Sequence, residues 1–301
     1  MIEGKTKTLT EKSGNLIVTT KDVLTANDAA KKENIKVAID KNKQTCSLFT
    51  FLQQHDINTH FIEQIDDTSF LAKKCNMIPI ECVARFKATG SFLKRYPSYE
   101  NGANLGVIRI EFFHKLAYIA EENKLMPEDE ARDKFMVEGK WHRPVVTDPF
   151  IIFDWGNWRT KRLALDSKQG FNIQFYDPKK TLNIHDVIFK KESDITPREY
   201  DTIRDELIKI SLLIQKAWHT FDISLVDIKL EFGKCVSTGE ILLADVIDND
   251  SWRIWPNGDV NKQLDKQAFR DGNATDDIIS NYKKVTKLTK KFPQLNFKEL
   301  V

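Results

Sequence analysis

The sequence predicts a soluble protein of mixed strands and helices, built as one large domain or as two closely apposed lobes with a cleft. Three observations predict it. Two long stretches alternate apolar and polar residues with strand period, three segments space their apolar residues for helices, and 301 residues suffice to bury a sizeable core. Hydrophobic residues make up 41% and charged residues 30%, with a mean hydropathy of −0.43, which fits a globular chain rather than a disordered one. No run is long enough to span a bilayer, so no membrane partner is expected. The start, MIEGKTKTLTEKSG, has no apolar signal stretch, and the chain is expected to stay in the cytoplasm.

Taken in order, residues 1 to about 90 alternate short strand-like runs with turn residues. NLIVTT at 15–20 reads as a strand, Lys43 to His55 puts Cys46, Phe49 and Leu52 on one helical face, and INTHFI returns to strand. In MIPIECVARFKATGS at 77–91, Ile78, Ile80, Cys82, Ala84 and Phe86 point one way and Glu81, Val83, Arg85 and Lys87 the other. That alternation predicts one core face and one working surface. Residues from about 100 to 195 are loop-rich, with four prolines, and predict loops, a strand pair and a short helix. Thr196, Pro197 and Glu199 form an N-cap, first-turn proline and capping box before the stripe Ile203, Leu207, Ile210, Leu213, Ile214, Ala217 and Phe221, a core helix over 196–222. From Asp276 onward, Ile278, Ile279, Tyr282, Val285 and Leu288 are spaced for an amphipathic helix.

Charge and special residues exclude several chemistries. A net charge of +2 is too mild for a nucleic-acid partner, and the lysines at 283, 284, 287, 290 and 291 read as the solvated face of the last helix. Cys46, Cys75, Cys82 and Cys235 match neither zinc nor redox spacing, so they read as free thiols. The six histidines show no metal spacing, and no Gly-x-Ser-x-Gly elbow supports acyl-enzyme hydrolysis.

The most informative stretch is 224–259. Val226, Ile228, Leu230 and Phe232 share one strand face and Asp227, Lys229 and Glu231 the other; a turn at Val236–Gly239 leads into the apolar run EILLADV. An antiparallel hairpin would return Asp245 to about the level of Lys229 to Glu231, with strands about 5 Å apart. Two carboxylates that close need a cation or proton between them, and oxygen ligands beside a lysine suit magnesium and a nucleotide triphosphate. The alternative is a solvated hairpin with ordinary surface charges. Lys5 and Lys7, in Gly4-Lys5-Thr6-Lys7, share a face of an expected edge strand and could cover a polyphosphate, or could be exposed surface lysines; the setting is not a Walker A loop. Arg85 to Arg95, with Ser91 after Gly90, could hold a phosphate monoester or be a basic strand end. The polar run 248–253 places Arg253 within reach of an anion, or is an Asn/Asp-rich turn.

Together these pieces resemble the phosphoribosylaminoimidazole-succinocarboxamide synthase (SAICAR synthetase) family. EGKTK at 3–7, LTANDAAK at 24–31, THFI at 59–62, MIPIECVARFKATGSFLKR at 77–95, VDIKLEFG at 226–233, LADVIDNDSWRIW at 243–255 and DKQAFRD at 265–271 stand in the family's order. The resemblance implies an α+β, kinase-like two-lobe fold related to ATP-grasp enzymes, with antiparallel sheets and an ATP cleft between lobes. Residues 1–80 would form the N-terminal β lobe and 81–301 the larger lobe. It implies an ATP-dependent ligase of purine biosynthesis that joins L-aspartate to carboxyaminoimidazole ribonucleotide, with ATP and Mg2+ as cofactors and a homo-oligomer allowed for. Lys5 and Lys7 match phosphate-covering lysines, Met77 to Glu81 the strand near adenine, and Glu231 and Asp245 the magnesium ligands. Arg85, Ser91 and Arg253 match positions that hold the ribonucleotide phosphate, and Lys229 lies by the reacting carboxylate. Asp28 falls on a polar turn near the substrate, and Thr147-Asp148-Pro149 corresponds to a His-Asp-Pro loop. The family typically shows Asp-Glu where this chain has Asp245-Val246, as in the version fused to a carboxylase domain.

The implied chemistry needs no side-chain nucleophile. ATP converts a carboxylate into an acyl phosphate that the aspartate amine then attacks, with cationic groups stabilising charge on phosphate oxygens. A kinase shares the lysine-bearing strand and paired carboxylates, but His-Arg-Asp and Asp-Phe-Gly are absent. A non-enzymatic nucleotide or RNA binder leaves Glu231 and Asp245 unexplained.

Overall fold

The computed structural model describes residues 1–26, 31–155 and 165–297. The chain forms two compact units, one of residues 1–77 with 209–301 and one of residues 78–208. The expected division at residue 80 into 1–80 and 81–301 differs from this grouping. Its C-terminal third packs with the N-terminal part because Gln44 donates to the Tyr282 carbonyl at 3.1 Å and to the Thr286 hydroxyl at 3.0 Å, both deep in the core.

The first unit opens with β1 (Ile2–Glu3), β2 (Lys7–Lys12), β3 (Asn15–Thr20), β4 (Val23–Ala26), β5 (Lys31–Asn34), α1 (Ala38–Gln53), β6 (Phe61–Gln64), β7 (Ser69–Lys73) and the head of β8 (Cys75–Lys87). An antiparallel sheet runs β1-β2-β3-β7-β6, with Lys7 opposite Thr20 and Lys12 opposite Asn15. Helix α1 begins five residues before the expected Lys43, and its Cys46, Phe49 and Leu52 are buried as the spacing requires. INTHFI is strand only from Phe61. Its earlier residues make a single parallel bridge, Thr59 with Leu243, instead of a ladder.

The second unit contains the rest of β8, then α2 (Ser91–Arg95), β9 (Asn104–His114), β10 (Leu116–Ile119), β11 (Lys124–Pro127), α3 (Glu128–Phe135), β12 (Met136–Val137), β13 (Lys140–Trp141), β14 (Val145–Thr147), β15 (Phe150–Asp154), β16 (Asn172–Tyr176), β17 (Phe189–Glu192) and the start of α4 (Pro197–His219). Its main sheet runs β17-β16-β15-β9-β8 antiparallel. The region expected to hold one strand pair therefore supplies most of a sheet. Strand β15 is short and buried on both faces, as in Phe150, Ile151 and Phe153, so it lacks the alternation by which a half-exposed strand is read. On the face of 77–91 expected to be a working surface, Val83 and Arg85 are buried, as are Ile80, Cys82, Ala84 and Phe86 opposite, while Glu81 and Lys87 are half-buried.

Helix α4 starts as its capping box dictates, the Thr196 amide donating to Glu199 Oε2 at 2.7 Å and the Glu199 amide to Thr196 Oγ1 at 3.2 Å. The expected stripe from Ile203 to Ala217 is buried. Beyond it, in the first unit, come β18 (Ile223–Cys235), β19 (Ile241–Ala244), β20 (Trp252–Pro256), α5 (Gln267–Arg270) and α6 (Thr275–Thr289). Strand β18 pairs antiparallel with β20 along its first half and with β19 along its second. Gly233 permits a tight crossing, since a Cβ there would lie 2.8 Å from Cys75 Cβ and 3.1 Å from Met77 Sδ. Among the described residues no helix is long and apolar enough to cross a membrane.

Candidate active site

In the first unit the hairpin β18–β19 brings the two expected carboxylates to neighbouring strands. Glu231 is paired with Ala244, and Asp245 follows directly where β19 ends. Asp245 leaves the strand in the left-handed region, φ +63°, which aspartate tolerates better than most residues. Its backbone is held from behind. His60 donates Nε2–H to the Asp245 carbonyl at 2.9 Å, the His60 amide bonds the Leu243 carbonyl at 2.9 Å, and the ring is seated against Phe49 and Phe70. A carbonyl can only accept, so the His60 proton sits on Nε2. Burial, aided by the Lys7 ammonium, pushes the imidazole down to about 3, so it is neutral at ordinary pH.

Each carboxylate meets an ammonium group. Lys7, at the start of β2, is ion-paired with the half-buried Asp245 carboxylate, and Lys229 lies 3.4 Å from the buried Glu231 carboxylate. The cation expected between the carboxylates is thus represented here by two lysine heads, one on each. Lys5 does not share a strand with Lys7. It lies in a bend closed by the Gly4 amide on the Lys7 carbonyl at 2.9 Å and braced by Lys21, which donates to the Gly4 carbonyl at 2.8 Å. Met77, on β8, stands against Gly233 of β18. Arg253, opposite Asp227 across β18 and β20, is paired with that carboxylate. The sequence left Arg253 open between an anion site and a polar turn; the structure gives it an internal partner.

Magnesium fits this donor set. Among the described residues no group of three or more His, Cys, Asp or Glu could hold a metal ion, and two carboxylates are what magnesium uses when water and phosphate oxygens complete its shell. Glu231 and Asp245 are the residues that would hold it.

The turn after Asp245 is anchored by charges that sequence reading missed. Lys41 of α1 lies 2.9 Å from Asp250 and 3.7 Å from Asp248, Lys266 lies 3.1 Å from Asp250, and the Tyr282 hydroxyl donates to Asp250. Burial works against the charge on Lys41, but the two aspartates overcome it and hold the ammonium above its usual range. Burial likewise opposes the Asp250 charge, and Lys266 and Lys41 hold its carboxyl well below the carboxylate range. The Asn249 amide donates to Gln44 Oε1 at 2.8 Å and Thr45 Oγ1 donates to the Ile247 carbonyl at 3.2 Å, so three residues of α1 grip the turn. Lys41, Asn42, Gln44 and Thr45 are all buried on α1, a run of polar residues that gave no sequence signal of its partners.

In the second unit Arg85 of β8 and Ser91 of α2 come together, Arg85 Nη2 lying 3.5 Å from Ser91 Oγ. Gly90 between them has φ +59°, a conformation that excludes most other residues. Arg85 is also bound by Glu111, and Glu111 by Arg95. Glu81 sits on β8 opposite Phe113. Asp148 occupies the turn between β14 and β15 with φ +43°. Asp28 lies outside the described residues.

The sequence pattern of the SAICAR synthetase family matches residues 1–138 and 173–289. The chain belongs to that family. Among its relatives, the multifunctional protein ADE2 of Gallus gallus is 36% identical over 89% of this chain and 51% of its own length. The phosphoribosylaminoimidazole-succinocarboxamide synthase of Chloroflexus aggregans is 32% identical over 89% of this chain and 85% of its own. A solved SAICAR synthetase (Type-2) in complex with ADP superposes with a TM-score of 0.65 at 26% identity, covering 95% of this chain and 96% of that one. The chain spans about half the length of the first curated relatives it matches. The α+β architecture with antiparallel sheets expected from the resemblance is the one observed.

Proposed function

We propose that this chain joins L-aspartate to carboxyaminoimidazole ribonucleotide at the expense of ATP, releasing ADP and phosphate, in the cytoplasm and as a step of purine biosynthesis. The observation that carries the reading is the pairing of Glu231 and Asp245 with lysine ammonium groups on an interlocked hairpin, in a chain of this family. The ADP held by the solved relative supports ATP as the nucleotide.

In this reading Glu231 and Asp245 hold magnesium, which when bound supplies positive charge to phosphate oxygens. Lys7 moves its ammonium from Asp245 toward the transferring phosphate, and Lys5 covers the neighbouring phosphates. Met77 and Glu81 border the adenine. Lys229 steadies the ribonucleotide carboxylate while its oxygen takes the γ-phosphoryl group. Arg85 and Ser91 bind the ribonucleotide phosphate, and Asp28, Asp148 and Arg253 each contact substrate. The aspartate amine then attacks the acyl carbon, a C–N bond forms, and phosphate leaves with the C–O electron pair and takes up the proton that the amine nitrogen loses. The protein contributes position and fixed charge rather than a nucleophile.

ADP release should require L-aspartate and the ribonucleotide together. A coupled assay that shows rapid ADP release with either one omitted would refute the ligase reading in favour of a kinase or ATPase.

A further inference from the structure

The long segment after β8 builds one charged cluster whose purpose the proposed reaction does not by itself explain. Glu111 of β9 is buried in the sheet, and its two carboxylate oxygens are divided between two buried arginines: Oε2 accepts from Arg85 Nε and Oε1 from Arg95 Nη2. Arg95 is also held by two aromatic rings and a carbonyl. Its guanidinium lies 5.0 Å from the centre of the Phe113 ring and 4.8 Å from that of Phe150, and Nη1 donates to the Pro178 carbonyl at 3.2 Å. Strands β9 and β15 and the loop after β16 thus converge on one arginine that has no assigned part in the chemistry.

A guanidinium gripped through Nε has its plane and direction set, because its donors form a rigid fork. Glu111 takes that edge of Arg85, and the Nη2 edge is then turned toward Ser91 Oγ, 3.5 Å away. These three charged groups sum to a formal +1, two arginines against one glutamate. The charge and the paired donors complement a phosphate monoester.

We propose that Glu111 is a positioning residue for the ribonucleotide phosphate, tying Arg85 to Arg95 so that Arg85 and Ser91 present their donors together. The inference rests on the reaction proposed above for the identity of the phosphate. Geometry and net charge make opposite predictions, which is what makes it testable. Glu111→Gln raises the formal charge of the cluster from +1 to +2; a purely electrostatic role would tighten anion binding, whereas a positioning role weakens it.

The experiment compares wild type, Glu111→Asp and Glu111→Gln, reading the ribonucleotide KM by ADP release at saturating ATP and L-aspartate, and the Kd of ribose 5-phosphate by calorimetry without ATP. Glu111→Asp keeps the charge but shortens the reach; we expect KM and Kd to rise about tenfold, with kcat within about threefold and the ATP KM unchanged. Glu111→Gln should shift both in the same direction. A folded Glu111→Asp with wild-type KM and Kd, or a Glu111→Gln that binds more tightly, would overturn the proposal, and Glu111→Asp decides alone should Glu111→Gln not fold. If wild type releases no ADP with all substrates present, the proposed reaction fails, and the ribose 5-phosphate comparison still decides the role of Glu111.

Discussion

Replacing Lys41 with methionine tests how the turn that carries Asp245 is held. The ammonium lies 2.9 Å from Asp250 and 3.7 Å from Asp248, in a side chain only 3% exposed. Methionine keeps most of the volume and removes the charge, leaving two buried carboxylates to Lys266 and Tyr282. Removing one partner from a buried ion cluster costs about 3–5 kcal/mol, mostly because the remaining charge stays desolvated. Unfolding entropy near about 2.1 cal/mol/K per residue gives roughly 0.6 kcal/mol/K for this length, so Tm should fall by about 5–8 °C. Calorimetry at neutral pH measures it, and a double-mutant cycle with Asp250→Asn isolates the pair. The double variant should recover about 2 kcal/mol relative to the sum of the singles. A Tm drop below about 2 °C, or strict additivity, would refute the view that Lys41 and Asp250 stabilise each other.

Two further outcomes follow from the same unit. Asp245→Asn should lower turnover by at least about 100-fold while Tm stays near wild type, since a charge stabiliser is lost from a half-buried position; near-normal rates at saturating magnesium would show that the site lies elsewhere. His60 gives a pH signature. Its folded value is pushed down to about 3 from an ordinary 6.5, so below 6.5 the unfolded chain binds the proton first. The stabilisation is full above 6.5 and drains as pH falls toward 3, by at most about 5 kcal/mol. Acid unfolding followed by circular dichroism should show that slope in wild type and a flatter one in His60→Gln, which retains an N–H donor.

The parts legible in the sequence were those whose physics is local. The capping box of α4, its apolar stripe and the β18 alternation depend on neighbours a few residues away, and the observed elements match them. Glu231 and Asp245 were legible because a turn between alternating strands dictates which residues come level. The segment 100–195 was less legible, because β15 is buried on both faces and strands of two residues such as β12 and β13 are too short to show a period. Lys5 was misplaced for a different reason: Gly4 and Lys21 close a bend that alternation cannot announce. Glu111 left a trace, a lone acid within the apolar run IRIEFFH, yet its partners Arg85 and Arg95 could be assigned only once β8 and β9 were paired. His60 stood only as part of THFI at 59–62, with no hint of its bond to a carbonyl 185 residues away.

The first unit draws on both ends of the chain, residues 1–77 and 209–301, with 131 residues of the second unit, 78–208, between them. On the ribosome, α1 emerges long before the α6 residues Tyr282 and Thr286 that Gln44 binds across more than 230 positions. The part of its surface that carries Gln44 must wait while the whole second unit is made, although Phe49 already has Phe61 and Phe70 to pack on. Contacts of such sequence separation close late and slowly. The carboxylates of the hairpin and the Lys7 that meets Asp245 therefore find each other only after residues 78–208 have all been made.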